Sequence, residues 1–269
     1  MQYEKIKKGQ EIKLEISDLA FGGQGISKIN DLIVFVKNAI PGQTVLAKVI
    51  KSKKKYIEAY KLEVLNKSSN EVDAECEHFK FCGGCTIQQM KYEKQLFYKQ
   101  KQVSEIFNKI AGINNPQINS IIGCDKIYFY RNKMEYTFSD NPWFIDDESY
   151  DDIVVGLHVP KRFDKILNIN QCHINHDMFN KILNIAKQVA NDENMIAYNV
   201  VKHTGFLRYL VLRIGVHTNE LMINIVSSRF NKKIIEKFKE QILKKIPNTT
   251  SIINTINTEK NNTAKGYTK

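Results

Sequence analysis

Short apolar runs with period-two alternation fill the first 66 residues and predict β-strands rather than helices. Turn-forming residues separate the runs, as at Asn30-Asp31 and Pro41-Gly42. The predicted strands are Glu11–Ile16, Leu32–Val36, Gln43–Ile50 and Tyr56–Val64. Four or five short strands at this spacing predict a small OB-like β-barrel in residues 1–66, a fold that often binds single-stranded nucleic acid.

The apolar spacing changes after a polar stretch at residues 66–75 and fits one face of a helix over residues 87–110. The apolar side carries Leu96, Val103, Ile106, Phe107 and Ile110. Gln and Lys fill the opposite side, and Ala111-Gly112 ends the run. We assign this helix to residues 90–114, and its apolar face has to pack against another part of a protein.

Strand and helix patterns alternate from residue 115 onward and predict an α+β domain over residues 115–258. The predicted strands are Ile127–Phe138, Ile153–Val159, Leu207–Gly215, Glu220–Ser227 and Thr250–Asn257, and the predicted helices are Met178–Ala190 and Lys232–Ile246. The strands on either side of Val216–Asn219 are expected to form a hairpin. Residues 259–269 have no apolar pattern, and we predict a truncated linker there. The expected fold class is β plus α/β multidomain.

Composition and charge narrow the range of possible functions. The chain of 269 residues is 42% hydrophobic, which is ordinary for a globular protein, and no run of 18 apolar residues predicts a membrane span. Its first residues lack the apolar region of a signal peptide, so we expect a reducing cytoplasm. A formal charge of +11 favours a polyanionic partner, with RNA first, although a proteome rich in Lys and Asn would give the same excess. We expect a monomer.

Three cysteines, Cys76, Cys82 and Cys85, lie in a C-x5-C-x2-C pattern within residues 67–89. A C-x2-C step brings two sulfur atoms to one side of the chain, and Gly83-Gly84 relaxes the backbone inside it. Cys172 is the candidate fourth ligand of a soft-metal site. Four thiolates suit zinc or an iron–sulfur cluster equally well, so the spacing alone does not choose the metal. The fifth cysteine, Cys124, fits no ligand spacing.

Basic and aromatic residues mark the candidate RNA contacts. Lysines supply phosphate contacts and rings supply stacking. The candidates are Phe21 in a glycine-rich turn, Lys51, Lys53, Lys54, Lys55 and Tyr56 at a strand junction, and Arg131 and Lys133, which alternate along a predicted strand and so share a face. A solvated hairpin tip and an exposed, salt-bridged sheet face are the alternatives. His78 and His173 flank the cysteines, and either could replace one of them as a ligand, but we expect them to face solvent or lie near the metal without binding it.

Residues Cys76–Lys99 resemble the iron–sulfur branch of the RNA 5-methyluridine methyltransferases, which are related to the bacterial 23S rRNA uracil-C5-methyltransferases. Leu19–Gly25 and Val36–Gly42 are similar to segments of that family's N-terminal TRAM domain. Tyr130–Lys133 and Gly205–Arg213 are similar to motifs of its central domain. The resemblance implies a [4Fe–4S] cluster on Cys76, Cys82, Cys85 and Cys172, because Cys172 falls where the family has its fourth ligand.

The chain departs from this family in its chemistry. In the family, a C-terminal domain binds S-adenosylmethionine and carries the cysteine that attacks C6 of the uracil. This sequence has no cysteine after Cys172 and no glycine-rich strand–loop–helix for the methyl donor. We therefore expect the RNA-binding and cluster-bearing part of a 23S rRNA (uracil-C5)-methyltransferase, without catalytic residues and inactive alone. The resemblance implies that the helix in residues 90–114 packs with the absent catalytic domain.

Two alternatives remain at the level of sequence. The chain could be a non-catalytic RNA-binding iron–sulfur or zinc protein, complete as given. It could also belong to a tRNA (uracil-C5)-methyltransferase, although the tRNA branch typically lacks the cluster cysteines.

Overall fold

The computed structural model describes residues 6–143 and 152–268, and it divides the chain into two compact units. The first unit comprises the chain up to Glu75 together with Cys85–Asp125. The second comprises Cys76–Gly84 and the chain from Lys126 onward. Residues 1–5 of the predicted barrel, 144–151 of the predicted α+β domain and 269 of the predicted linker lie outside the described residues.

The first unit contains a six-stranded sheet and one helix. The strands are β1 (Glu11–Glu15), β2 (Asp18–Leu19), β3 (Gly25–Ile29), β4 (Leu32–Lys37), β5 (Thr44–Ser52) and β6 (Tyr56–Asn66), in the order β1-β5-β6-β4-β3-β2. Among the described strands of this sheet, only β4 and β6 pair in parallel. Alternate residues of these strands, such as Val34, Val36, Val45 and Ile57, are fully buried in a common core. The four strands predicted from alternation are confirmed, and β2 and β3 were missed.

The helix α1 (Tyr92–Lys109) lies within the predicted segment. Tyr98 packs against the barrel residues Leu19 and Ile40, and the Gln102 amide donates hydrogen bonds to the carbonyls of Leu19 and Ala20. None of the residues of α1 is fully buried. Of the predicted apolar side, Val103, Ile106, Phe107 and Ile110 are exposed and Leu96 is half-buried. Phe97, which was not assigned to that side, is exposed as well.

The second unit contains an eight-stranded mixed sheet and two helices. Its strands are β7 (Lys133–Ser139), β8 (Pro142–Trp143), β9 (Val154–His158), β10 (Ile166–Asn168), β11 (Leu207–Ile214), β12 (Leu221–Ser227), β13 (Ser251–Ile256) and β14 (Tyr267–Thr268), in the order β14-β13-β12-β11-β7-β9-β10-β8. Its helices are α2 (Asp177–Asp192) and α3 (Lys232–Lys245). The predicted hairpin is confirmed as the antiparallel pair β11–β12.

Local sequence explains where these helices begin and what they bury. The His176 ring accepts a hydrogen bond from the Met178 amide at the start of α2, and the Asn231 side chain caps α3 in the same way. The apolar face of α2 is buried, including Phe179 and Ile182. Phe238 of α3 meets Phe138 of β7 edge to face with ring centroids 6.4 Å apart. No described helix is long and apolar enough to span a bilayer.

Two predictions of local structure were wrong. The strand predicted from Ile127 begins only at Lys133, because Phe129 adopts a left-handed φ of 56° and Arg131 instead forms an isolated bridge with Asn175. The chain end predicted as a structureless linker returns to the sheet as β14, which pairs with β13. Hydrogen bonds from Arg208 hold the connecting segment, so its order comes from distant residues rather than from an apolar pattern of its own.

Candidate cysteine site and nucleic-acid interface

Two of the predicted metal ligands lie in a series of tight turns at Cys76–Gly84. The Phe79 amide donates to the Cys76 carbonyl at 3.0 Å, and the Cys82 amide donates to the His78 carbonyl at 2.7 Å. The Gly84 amide then points back and donates to the sulfur of Cys82 at 3.3 Å. The glycine pair therefore supplies a backbone donor to a thiol.

Cys172 is buried in the loop between β10 and α2 of the same unit. The Asn180 side chain fixes this loop, because its Oδ1 accepts from the Cys172 amide at 2.9 Å and its Nδ2 donates to the Cys172 carbonyl at 3.3 Å. Both halves of one amide are thus used to hold one cysteine backbone. The arrangement fixes where the Cys172 thiol lies without engaging its sulfur.

The thiols of Cys76, Cys82 and Cys172 interact with one another. Burial raises the pKa of Cys76 and of Cys82, and the neighbouring charge of Cys172 raises both further. Backbone hydrogen bonds from His78 and His173 to Cys76 act in the opposite direction. Three of the four predicted ligands are therefore near enough to interact electrostatically, and the partial burial of Cys76 and Cys82 would penalise their thiolates.

The fourth predicted ligand, Cys85, belongs to the first unit, where the Gln88 side chain donates to its sulfur at 3.9 Å. Among residues 6–143 and 152–268, no group of three or more Cys, His, Asp or Glu side chains is arranged to hold a metal ion. The soft donor type and backbone donors fit a thiophilic metal, but the complete ligand set stays a prediction. Cys124 is exposed in the first unit, where its amide donates to the Tyr92 hydroxyl.

His78 does not face solvent, which was one of the two expected positions. It is 4% exposed, and its Nδ1 has no hydrogen-bond partner. Its Nε2 lies 3.6 Å from a carboxylate oxygen of Glu77. Burial lowers the pKa of His78, so this ring is held in the neutral form more strongly than an exposed histidine. The ring of His173 is half-buried against Tyr128 and Phe129.

The barrel loops present most of the predicted RNA contacts to solvent. The Phe21 side chain is 80% exposed on the turn between β2 and β3. Lys53, Lys54 and Lys55 are exposed at the tip between β5 and β6. Lys51 differs, because its ammonium donates to the Glu58 carboxylate at 3.0 Å and to the Tyr56 hydroxyl at 3.1 Å. The hydrogen bonds to Tyr56 and to Glu58 raise the pKa of Lys51. They join Lys51 of β5 to Tyr56 and Glu58 of β6.

Arg131 and Lys133 do not lie on one strand face, because β7 begins at Lys133. They nevertheless line one open groove of about 540 Å³ in the second unit. The Lys133 ammonium lies 2.6 Å from the Glu135 carboxylate, which offsets part of its charge. Arg131 and Lys133 thus line the same groove, as a pair of cations. They do so although Arg131 lies before β7 and not on the strand that was predicted to carry both.

Sequence reasoning missed three residues that shape the second unit. Arg208 is 2% exposed, with its guanidinium carbon 4.1 Å from the Tyr198 ring centroid. Lys161 lines the groove with Arg131, and Phe163 is 65% exposed nearby in sequence. The run Pro160-Lys-Arg-Phe163 interleaves basic and aromatic residues, and this signal could have identified it.

Comparison with known proteins finds one matching domain family and relatives over most of the chain. The family model described as TRAM domain matches residues 5–62. An RNA methyltransferase of Bacteroides thetaiotaomicron is 35% identical over 91% of this chain and 56% of its own length. A Chlorobaculum tepidum RNA methyltransferase is 30% identical over 97% of this chain and 56% of its own length. The chain therefore has an N-terminal TRAM domain and RNA methyltransferase homologues along most of its length.

A solved structure shares the fold. The Pyrococcus abyssi tRNA (uracil-54, C5)-methyltransferase in complex with S-adenosyl-L-homocysteine aligns with 95% of this chain and 54% of its own chain, at a TM-score of 0.65 and 24% identity. The chain spans about half the length of the curated relatives it matches. The predicted lack of a catalytic domain, the rRNA target and the iron–sulfur cluster stay predictions.

Proposed function

We propose that this chain is the RNA-binding part of an S-adenosylmethionine-dependent RNA (uracil-C5)-methyltransferase that forms 5-methyluridine in 23S rRNA in the cytoplasm. The observation that carries the proposal is the TRAM domain with an exposed ring and an exposed lysine cluster, at Phe21 and Lys53–Lys55, on a chain of charge +11. Lysines bind phosphates without regard to sequence, and an exposed ring stacks on unpaired bases. We assign residues 1–66 to the TRAM domain and 115–258 to the central domain.

The RNA class is tested by binding. Fluorescence anisotropy should show tighter binding of this chain to a 23S rRNA fragment containing a single-stranded uridine loop than to a tRNA transcript of equal length. The tRNA alternative has specific support in the fold shared with a tRNA methyltransferase. Tighter binding to the tRNA would show that tRNA, rather than rRNA, is the substrate. Absence of binding to both RNAs would refute RNA binding itself.

We also propose that Cys76, Cys82, Cys85 and Cys172 hold a [4Fe–4S] cluster. The support is the soft donor set, the interaction of three of these thiols, and the Gly84 amide directed at the Cys82 sulfur. The assignment of Cys85 rests on the C-x2-C spacing alone. A bound cluster would organise the RNA-binding surface rather than perform redox chemistry. Zinc remains the alternative metal.

Metal analysis of anaerobically purified protein distinguishes these cases. About four iron and four inorganic sulfide per chain, with visible absorbance, is the expected result. Substitution of Cys82 or Cys172 by Ser should remove the iron, whereas the matched substitution of exposed Cys124 by Ser should retain it. A colourless protein with one zinc per chain would refute the cluster assignment.

Methyl transfer by these 269 residues alone is expected to be absent, because no cysteine follows Cys172 to attack the uracil. An assay with labelled S-adenosylmethionine and unmethylated 23S rRNA tests this point. Transfer of label to RNA would show that the chain contains its own catalytic groups. A non-catalytic RNA-binding protein would give the same negative result, but its gene would contain no methyltransferase sequence in the same reading frame.

A further inference from the structure

Two cavities of the second unit share one residue, His158, at the end of β9. The first is the open groove of about 540 Å³ that contains Arg131, Lys133 and Lys161 in its lining. The second is a smaller cavity of about 120 Å³ that contains Phe163, Tyr198 and Asn141 in its lining. Because His158 lines both, the two cavities are neighbours on the surface of the second unit.

The groove has the charge of a phosphate site. Three of its lining side chains are cationic and one, Glu135, is anionic and paired with Lys133. Lys161 stands on a tight turn in which the Arg162 amide donates to the Val159 carbonyl at 3.0 Å. Two further cations, Arg131 and Lys161, therefore border the groove beyond the Lys133–Glu135 pair, and such a surface attracts a polyanion.

The cysteine segment forms part of the same groove. A side chain at Gly83 would place its Cβ 3.1 Å from the His158 carbonyl oxygen and 3.7 Å from Pro160. The absence of a side chain thus allows Gly83 to pack closely against the turn that carries Lys161. The glycine pair accordingly has a second role besides its contribution to the cysteine turns.

The smaller cavity has the chemistry of a base-binding pocket. Phe163 supplies an exposed ring, while Thr137, Ser139 and Asn141 supply polar edges. The His158 Nε2 lies 3.4 Å from the Thr137 hydroxyl, and its Nδ1 is buried without a partner. The volume is well below the roughly 300–1,000 Å³ typical of drug-sized ligands, so a single planar ring is the appropriate guest.

The loop that carries Phe163 is held in place. Arg162 pairs with Asp164 through two hydrogen bonds of 2.9 and 2.8 Å, and the Asn141 side chain donates to the Asp164 carbonyl at 3.0 Å. Lys165 also donates to the Asn141 side chain. A ring on a preorganised loop loses little conformational entropy when it stacks on a base.

We propose that these two cavities bind one unstacked nucleotide of a single-stranded RNA segment, with backbone phosphates in the groove and the base in the smaller cavity against Phe163. The inference rests on the proposed function, because it assumes that the chain binds RNA. Single-stranded RNA fits this pair of cavities since its unpaired bases stack on aromatic rings while its phosphates bind Lys and Arg. This site would add an anchoring contact in the second unit.

The test uses the full chain and a fluorescein-labelled, unstructured ten-nucleotide RNA, with anisotropy measured over a range of salt concentrations. Phe163→Ala should weaken binding about 5-fold to 100-fold without changing the salt dependence, because base stacking involves no released counterion. Lys161→Gln should reduce the slope of log K against log salt by about 0.7, the value for one phosphate contact on a single strand. Phe230→Ala and Lys181→Gln are matched controls from the same unit.

Urea-unfolding midpoints equal to that of the wild type show that the variants fold. Phe163→Leu is a second variant, because leucine keeps the apolar volume but removes the ring. It replaces Phe163→Ala if the alanine variant does not fold. Wild-type affinity in both Phe163 variants would overturn the inference while leaving RNA binding intact. Absence of wild-type binding would instead overturn the proposed function. Uridine monophosphate and the unlabelled RNA are also compared as competitors of the labelled RNA. If the two compete equally well at the same concentration, the occupant of the site is a free nucleotide rather than RNA.

Discussion

The guanidinium of Arg208 donates a 2.7 Å hydrogen bond to the backbone carbonyl of Asn257, 49 residues further along the chain. The same guanidinium donates to the carbonyls of Glu259 and Asn261. One buried cation therefore satisfies three carbonyls of the segment that leads from β13 to β14. This explains how a stretch with no apolar pattern is held against the sheet.

Replacement of Arg208 by Met should lower the free energy of unfolding by about 3 kcal/mol, because the apolar side chain fills similar volume but leaves buried carbonyls without donors. Urea denaturation measures this difference. Arg213→Met is the matched control, since Arg213 lies on the same strand and is exposed. Equal effects of the two substitutions would show that the carbonyl contacts of Arg208 contribute little.

Gly42 occupies a left-handed backbone conformation, with φ of 88°, and a Cβ there would lie 2.6 Å from the Ser68 Oγ. That hydroxyl donates to the Pro41 carbonyl at 2.8 Å, so it cannot move without loss of a buried hydrogen bond. Gly42→Ala should therefore destabilise the protein by about 2–4 kcal/mol from combined strain and overlap.

Gly22 provides the control for this prediction. Its φ of 91° is nearly the same, but a Cβ there would meet no atom within 4 Å. Gly22→Ala should cost only the backbone strain, about 1 kcal/mol. The difference between the two urea-unfolding free energies isolates the overlap with Ser68, and a difference near zero would contradict it.

Lys187 of α2 is partly buried, and burial lowers its pKa to about 8 from an ordinary value of 10.5. Between these pH values the unfolded chain binds more protons at this lysine than the folded protein does. The free energy of unfolding should therefore rise with pH from about 8 to about 10.5. We expect a contribution of about 1–2 kcal/mol after allowance for the exposed part of the side chain.

Lys187→Met should remove this rise, which urea unfolding at pH 8 and pH 10 would detect as a smaller difference than in the wild type. Lys181→Met is the control on the same helix, because Lys181 is exposed and lies 3.8 Å from Asp177. An unchanged pH dependence in the Lys187 variant would mean that its ammonium is effectively solvated in the folded state.

Most strands and helices were predictable because their apolar residues repeat with the period of the element. The β11–β12 hairpin and the buried face of α2 are examples, since two apolar runs flank the turn residues Val216–Asn219 and since Ile182, Leu183 and Ala186 recur on one side. The burial of Arg208 was not predictable, because its partners are backbone carbonyls that carry no signal in the side-chain sequence.

The candidate sites were less predictable than the strands and helices. One reason is that the sequence does not reveal where the register between paired strands shifts. The spacing of Cys76 and Cys82 singled out two thiols that interact electrostatically with Cys172 in the structure, while the metal site itself stays a prediction. The position of Lys51 depends on a bulge between Val49 and Lys51, which places Lys51 opposite Glu58. A bulge shifts all subsequent pairs, so alternation alone could not separate Lys51 from the exposed lysines that follow it.

The lysines of the β5–β6 loop should differ in their effect on RNA affinity. Simultaneous substitution of Lys53, Lys54 and Lys55 by Gln should reduce the slope of log K against log salt by up to about 2, because each lost phosphate contact on a single strand removes about 0.7. Lys51→Gln should leave the slope unchanged, since its ammonium already contacts Glu58 and Tyr56. Anisotropy with an unstructured RNA at several salt concentrations measures both. An equal slope change per residue in the two variants would show that the Lys51–Glu58 pair opens when RNA binds.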